Sequence, residues 1–273
     1  MISLIAVDMD GTLLDGDGNL PSHFLDVFQR LDDNNILFTV ASGRQYTSLV
    51  QSFQSISDKI VFIAENGTLV VYKGKALFAR PIPMQDVLEL CAQGRTIPHT
   101  VTVVCGRKSA YLEKSDDPDR AEFFSEIAKY YSKIEFVDSF ADIDDDILKF
   151  TVCSFDGAEE VILPAFRAYS DRFSVVVSGA YWLDISQPDA NKGAALAHVQ
   201  EIFGISRDQT MAFGDFLNDV ELLQNAKYSY AMANAHPDLF QHANFQAAAN
   251  YEDGVLRQIV HMLDNPQEYE KNQ

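Results

Sequence analysis

Two carboxylates one residue apart, Asp8 and Asp10, stand at the end of an apolar run and are followed at once by Gly11 and Thr12. Along a strand, residues i and i+2 share a side; where the strand ends, the chain turns, and one side chain and a neighbouring carbonyl can point into a common site. Adjacent carboxylates repel, so either one holds a proton or a cation stabilises both as anions. A nucleophile with an acid–base partner needs that arrangement, although a solvated Asp-Gly turn would contain the same residues. A second acidic group, Gly214-Asp215-Phe216-Leu217-Asn218-Asp219, follows the apolar residues 210–213. Its acids, four apart, reach one site if a helical turn starts there; Asp215 as an ordinary helix cap accounts for it equally well. Two acidic strand ends in the same kind of sheet favour the shared site, because together they offer hard oxygen ligands suited to magnesium. Ser42, in Ser42-Gly43-Arg44, can donate to a phosphoryl oxygen, and Lys192 can offset its charge. Taken singly, these two read as a turn residue and a surface lysine.

Other chemistries fail on spacing. Asp15, Asp17 and Asn19 fit positions 1, 3 and 5 of a calcium loop, but Leu20 replaces the required glycine and Asp26 the bidentate glutamate, which leaves surface acids. No GxxxxGK[ST] or GxGxxG run occurs, and His23, His99, His198, His236, His242 and His261 form no HExxH pair.

The elements that must position these groups alternate. Residues 2–7 form a β-branched strand, and Pro21 opens a helix whose apolar residues Leu20, Phe24, Val27, Phe28 and Leu31 are spaced by 4, 3, 1 and 3. Residues 36–40 read as a second strand, followed by a helical pattern through Leu49, Val50 and Phe53, and residues 60–64 as a third strand ending at Glu65-Asn66-Gly67. This is a parallel α/β sheet with polar or glycine residues at each strand end, where such sheets place ligands. Residues 69–79 form a hairpin about Lys73-Gly74, and the pattern changes at Arg80-Pro81-Ile82-Pro83. Helices near 84–94, 119–131 and 157–170, among strands near 101–105, 109–113, 134–137, 147–153, 173–178 and 181–185, make a compact α+β module. After a linker at 186–191 the α/β rhythm resumes with a helix from 192, a strand at 210–213, a helix after Asn218 and a strand at 228–232. The expected organisation is α/β: a Rossmann-like parallel-sheet core from residues 1–83 and 188–273, with an inserted α+β cap domain at 84–187.

Composition agrees with such a protein. Its 273 residues, 47% hydrophobic, can bury a core, which excludes disorder and small disulfide scaffolds. With 21 basic and 40 acidic residues the net charge of −19 disfavours nucleic-acid and anionic-membrane partners while leaving room for a local pocket for a small phosphate. Cys91, Cys105 and Cys153 form no CxxC pair and are odd in number, which points to a reducing compartment. No apolar stretch reaches the roughly 18 residues of a bilayer span, so a cytoplasmic location is expected.

In combination these motifs resemble the haloacid-dehalogenase-like phosphohydrolases, in particular the Cof-type subfamily with a large α/β cap, and within it the bacterial sugar-phosphate phosphatases. The opening DxDGT is Asp8, Asp10, Gly11 and Thr12; the hydroxyl after the second strand is Ser42; the lysine is Lys192; GDxxND is Gly214, Asp215, Asn218 and Asp219. Ala64-Glu65-Asn66-Gly67, Leu183-Asp184-Ile185 and Asp253-Gly254-Val255 are similar to the subfamily too, and Ala233 stands where it often has glycine. The resemblance implies magnesium-dependent hydrolysis of small phosphate monoesters, above all sugar phosphates. In it Asp8 is the nucleophile forming an aspartyl-phosphate, Asp10 the acid and base, and Ser42 and Lys192 the charge-spreading groups. Magnesium is expected on Asp8, the Asp10 carbonyl and Asp215, with Asp219 as a ligand or its support. Gly11, Thr12, Gly43, Arg44, Asn66 and Asn218 from the core, with Arg107, Lys108, Lys149 and Trp182 from the cap, are the expected substrate contacts. The partner is then a small phosphorylated metabolite, and the chain a monomer or homodimer. A sugar phosphomutase and a non-catalytic metal-dependent binding protein are the alternatives.

Overall fold

The computed structural model describes residues 1–116 and 120–269. In chain order the first stretch contains β1 (Leu4–Asp8), α1 (Phe24–Asp33), β2 (Leu37–Ala41), α2 (Tyr46–Ser52), β3 (Ile60–Ala64), β4 (Leu69–Tyr72) and β5 (Lys75–Ala79). The middle stretch contains α3 (Met84–Gly94), β6 (Val101–Gly106), β7 (Ala110–Glu113), α4 (Arg120–Ile127), β8 (Ile134–Val137), β9 (Ile147–Cys153), α5 (Leu163–Phe166), β10 (Ser174–Gly179) and β11 (Trp182–Ser186). The last contains α6 (Lys192–Phe203), β12 (Thr210–Gly214), α7 (Val220–Gln224), β13 (Tyr228–Met232), β14 (Phe245–Ala247) and α8 (Gly254–Asp264).

These elements group into two units. The first comprises residues 1–43, 49–78 and 191–273 and is built on an eight-stranded sheet in the order β14-β13-β12-β1-β2-β3-β4-β5. Pairing is parallel from β14 to β3, and β4 runs antiparallel to β3, so the hairpin at Lys73-Gly74 forms one edge. β1 and β3 are buried at every position, as strands covered on both faces must be. Phe24 and Phe28 of α1 pack with Phe38 and Phe53, and Phe53 with Phe62; each buried ring contributes about 1.5–3 kcal/mol. α1 lies beside α8, and α6 beside α7.

The second unit comprises residues 44–48 and 79–190 and carries a six-stranded sheet in the order β10-β11-β9-β6-β7-β8. Its pairs are antiparallel except β7 with β8, which α4 connects. Residues 44–48, 79–83 and 188–190 thus group outside the core to which the sequence pattern assigns them. For the two linking segments the physical reason is bonding to residues distant in sequence: Ile82 bridges to Ile147, Gln187 donates to the Pro81 carbonyl, and Arg80 pairs with Asp189.

Two elements differ in detail from expectation. The first helix starts at Phe24 because residues 22–23 form a turn closed by the Phe24 N–H on the Pro21 carbonyl. The helix expected at 157–170 is present as one continuous helical stretch over 158–169 whose winding changes along its length, wide at Ala158–Ile162, regular in α5 and tight at Arg167–Tyr169. Pro164, in the first turn of α5, has no N–H to return to the preceding turn, which is where the winding changes. The expected start of α4 at residue 119 lies outside the described residues. Beyond Met232, β14 and α8 add to the expected elements; the spacing of Val255, Leu256, Ile259 and Met262 was the available signal for α8.

Candidate active site

Parallel register brings the two acidic motifs together. Val7 pairs with Phe213 on one side and Val40 on the other, so β12, β1 and β2 end side by side and release Gly214-Asp215, Asp8 and Ser42 at one edge of the sheet. The Asp8 side chain is buried there. Oxygen atoms of Asp8, Asp215 and Asp219 all lie within 4.8 Å of one another.

Lys192 is what makes this cluster tolerable inside a protein. It is the first residue of α6, 1% exposed, and its ammonium donates to Asp8 Oδ1 at 2.5 Å and to Asp219 Oδ1 at 2.6 Å. The helix start is defined by Asn191, whose side chain accepts the Ala194 N–H at 2.7 Å. α6 can approach α7 so closely because Gly193 has no side chain; a Cβ there would lie 2.3 Å from the Glu221 carbonyl oxygen. Asp219 is completely buried, and its Oδ2 accepts the N–H groups of Asp215 and Phe216 at 3.1 and 3.2 Å. Three donors therefore satisfy Asp219.

Thr12 is buried too, and its hydroxyl donates to Asp215 Oδ1 at 2.8 Å. Gly11, at φ 80, lies against the same carboxylate: a Cβ would fall 2.3 Å from Asp215 Oδ2. Gly11 and Thr12, expected to touch substrate, thus have a more immediate task in seating Asp215. Ser42 is 1% exposed, with its N–H on the Ile63 carbonyl and its carbonyl accepting from the Asn66 N–H. Asn66 lies beside Gly43 and accepts from Asn218 at 3.1 Å.

Electrostatics follow from burial. The Asp8 carboxyl is held well above its ordinary range, first by burial and then by the charge of Asp219, with Lys192 opposing. Asp215 is also raised, mainly by burial, against the Thr12 hydrogen bond that favours its ionised form. Burial works against the charge of Lys192, but Asp219 and Asp8 outweigh it and hold the ammonium above its usual value. Three carboxylates against one ammonium leave an excess of negative charge on hard oxygen donors, the environment that a divalent cation fits.

A model described as haloacid dehalogenase-like hydrolase matches residues 5–259. The chain belongs to that family. This haloacid dehalogenase-like hydrolase is 34% identical over 264 residues to the 5-amino-6-(5-phospho-D-ribitylamino)uracil phosphatase YbjI of Escherichia coli K12, with 96% of each chain covered. Its fold is similar to a crystal structure from Eubacterium rectale, with a TM-score of 0.87, 30% identity and coverage of 96% of this chain and 99% of that one. A protein of Streptococcus mutans UA159 gives a TM-score of 0.83, 31% identity and coverage of 97% and 100%. The chain is accordingly an enzyme, of the phosphatase type on which its resemblance rests.

The remaining expected residues sit elsewhere. Asp10 is exposed, on the turn Met9–Leu13 where it leaves helical geometry. In the second unit Arg107 is exposed, whereas Lys149 is buried, paired with Asp184 at 3.4 Å and set over the Tyr131 ring. The Lys108 ammonium donates to the Asp144 carbonyl. Trp182 fills an apolar cluster with Val101, Phe123 and Ile127, and its indole N–H donates to Glu126. Lys192 corrects the reading of a lone surface lysine, since only the folded chain buries it between two acids 27 and 184 positions away. Asp15 Oδ1 accepts the N–H groups of Asp17 and Asn19 in an exposed turn. Among the described residues no helix is long and apolar enough to cross a membrane.

Proposed function

We propose that this phosphatase hydrolyses phosphate monoesters of sugars or sugar-alcohol chains through a covalent phosphoryl group on Asp8. The observation that carries the reading is the buried Asp8 carboxylate at the end of β1, held on one oxygen by Lys192 and with Asp215 beside it. A hydrogen bond to Oδ1 orients the carboxylate, so its second oxygen is presented to a phosphorus atom. As the O–P bond forms, the ester oxygen leaves and takes a proton from Asp10. Asp10 then removes a proton from the water that attacks phosphorus, which releases inorganic phosphate and regenerates Asp8. The buried Ser42 hydroxyl, carried on a strand end whose N–H and carbonyl are both bonded to β3 and the turn after it, donates to a phosphoryl oxygen.

Asp8, the carbonyl of Asp10 and Asp215 would hold magnesium. Bound there, the ion reduces the repulsion between an anionic nucleophile and an anionic phosphate. Asp219 acts as a support, since its oxygens already accept from Lys192 and two backbone N–H groups. The substrate class draws on the E. coli relative, which is named for a phosphate ester on a ribityl chain. The inserted unit is proposed to select among leaving groups, with Arg107 as one of its exposed basic residues. Three buried free thiols accord with a reducing, cytoplasmic setting.

The test is a panel of pentose, hexose and ribityl phosphates with flavin and nucleotide monophosphates, assayed with magnesium for release of inorganic phosphate. Sugar or sugar-alcohol esters should lead the panel, and Asp8→Asn should abolish turnover. An isomeric sugar phosphate as product would make the enzyme a mutase, and wild-type rates in Asp8→Asn would remove the covalent step.

A further inference from the structure

The loop that carries Asp10, Gly11 and Thr12 is held by side chains to which the reaction above gives no part. Asn234, two residues past the end of β13, donates from Nδ2 to the Gly11 carbonyl at 2.8 Å. Its Oδ1 accepts the Asn250 N–H at 3.0 Å. Asn250 is buried and donates from Nδ2 to the Leu14 carbonyl at 2.8 Å. Two asparagines 16 positions apart thus bracket both ends of the segment 11–14.

The bond to Gly11 has a directional consequence. A trans peptide is planar, with its C=O and N–H pointing opposite ways, so a donor on the Gly11 carbonyl also sets the direction of the Thr12 N–H. Thr12 in turn donates its hydroxyl to Asp215. Asp10 and Gly11 leave helical geometry within this turn, so the turn's own backbone does not hold them in a regular helix. A conformation of that kind persists where its surroundings determine it.

We infer that Asn234, seated by Asn250, is a positioning residue: it orients the Gly11–Thr12 peptide and through it the Asp10 side chain and Asp215. The inference rests on the proposed role of Asp8 and Asp10 and extends it to a residue whose side chain bonds the Gly11 carbonyl and the Asn250 N–H. Asn234 is exposed, so its removal takes little from the core. A positioning role and a merely structural one therefore predict different outcomes.

The experiment compares full-length wild type with Asn234→Ala and Asn234→Asp. Aspartate retains an acceptor for the Asn250 N–H but lacks the donor to Gly11. Steady-state turnover of p-nitrophenyl phosphate at saturating magnesium, thermal unfolding, and hydrogen–deuterium exchange over residues 9–14 are measured together. Both variants should lose at least about tenfold in kcat with KM within about twofold. Tm should stay within about 2 °C of wild type, and exchange over 9–14 should be faster. Turnover within about twofold of wild type in either variant, or unchanged exchange, overturns the inference. A fall in Tm large enough to unfold the variant under assay conditions overturns it in favour of a structural role. If wild type itself releases no phosphate, the functional reading falls and the positioning role falls with it. Active wild type with active variants removes the positioning role alone.

Discussion

The sharpest test of the site's geometry is Gly11→Ala. Gly11 sits at φ 80, where an alanine costs about 1–2 kcal/mol of backbone strain. More important is the neighbour: the new Cβ would lie 2.3 Å from Asp215 Oδ2 and 2.8 Å from its Cγ, while ordinary contact begins at 3.4 Å. The carboxylate or the loop must move by roughly 1 Å. The Thr12 hydroxyl now reaches Asp215 Oδ1 at 2.8 Å, and a shift of that size takes the pair out of hydrogen-bond range. Adding the lost bond to the strain gives a destabilisation of about 2–3 kcal/mol, or roughly 5–10 °C in Tm. Misplacement of a reacting constellation by that distance costs on the order of 100-fold in rate. The assay is turnover of p-nitrophenyl phosphate against magnesium concentration, with thermal unfolding alongside. Gly18→Ala is the control: Gly18 also has φ 80, yet a Cβ there meets nothing within 4 Å. It carries the strain without the collision, so its kcat and magnesium dependence should match wild type. If Gly11→Ala keeps wild-type kcat and magnesium dependence, or Gly18→Ala loses as much, the close approach of Gly11 to Asp215 does not matter to catalysis.

Lys192→Met should abolish turnover and, without magnesium, lower stability by about 3–5 kcal/mol, because Asp8 and Asp219 lose the one ammonium that bonds both; an unchanged urea midpoint contradicts this. Burial and Asp219 raise the Asp8 carboxyl, so a proton competes with magnesium and affinity should weaken as pH falls. Titration calorimetry in two buffers of different ionisation enthalpy should show proton release on binding, and a pH-independent affinity without release refutes the assignment. Burial pushes the Cys91 and Cys153 thiols up to about 12 from an ordinary value of 9.0. Above pH 9 the unfolded chain loses protons that the folded chain keeps, so stability is intact below that pH and falls as pH rises toward 12. The loss should be about 2 kcal/mol per thiol at roughly pH 10.5. Urea midpoints from pH 8 to 10.5 should show a shallower decline in Cys91→Ala, and equal slopes would exclude the thiol as the cause.

Much of the first unit was legible because its strands are short and apolar on both faces. The pattern for residues 60–64 coincides with β3, and 228–232 with β13. The acidic motifs were legible for the same reason: each follows directly from a strand, so a local pattern places it at a strand end. Around Pro164 the apolar spacing predicts the helix that forms, but not the change of winding that accompanies one missing N–H. Arg80, Pro81 and Asp189 group with the second unit through bonds to partners over a hundred positions away, which no composition shift records.

The sequence by itself determined the chemical inventory: which carboxylates, which hydroxyl and which lysine exist, and that strands or helix starts carry them. Only the tertiary structure decided that Lys192 is buried between Asp8 and Asp219, that Thr12 serves Asp215, and that Trp182 belongs to a core. Strand and helix patterns are set within a few residues by backbone geometry and hydrophobic period. Charge compensation is set by which strand ends become neighbours, and here that joins side chains 27, 184 and 203 positions apart.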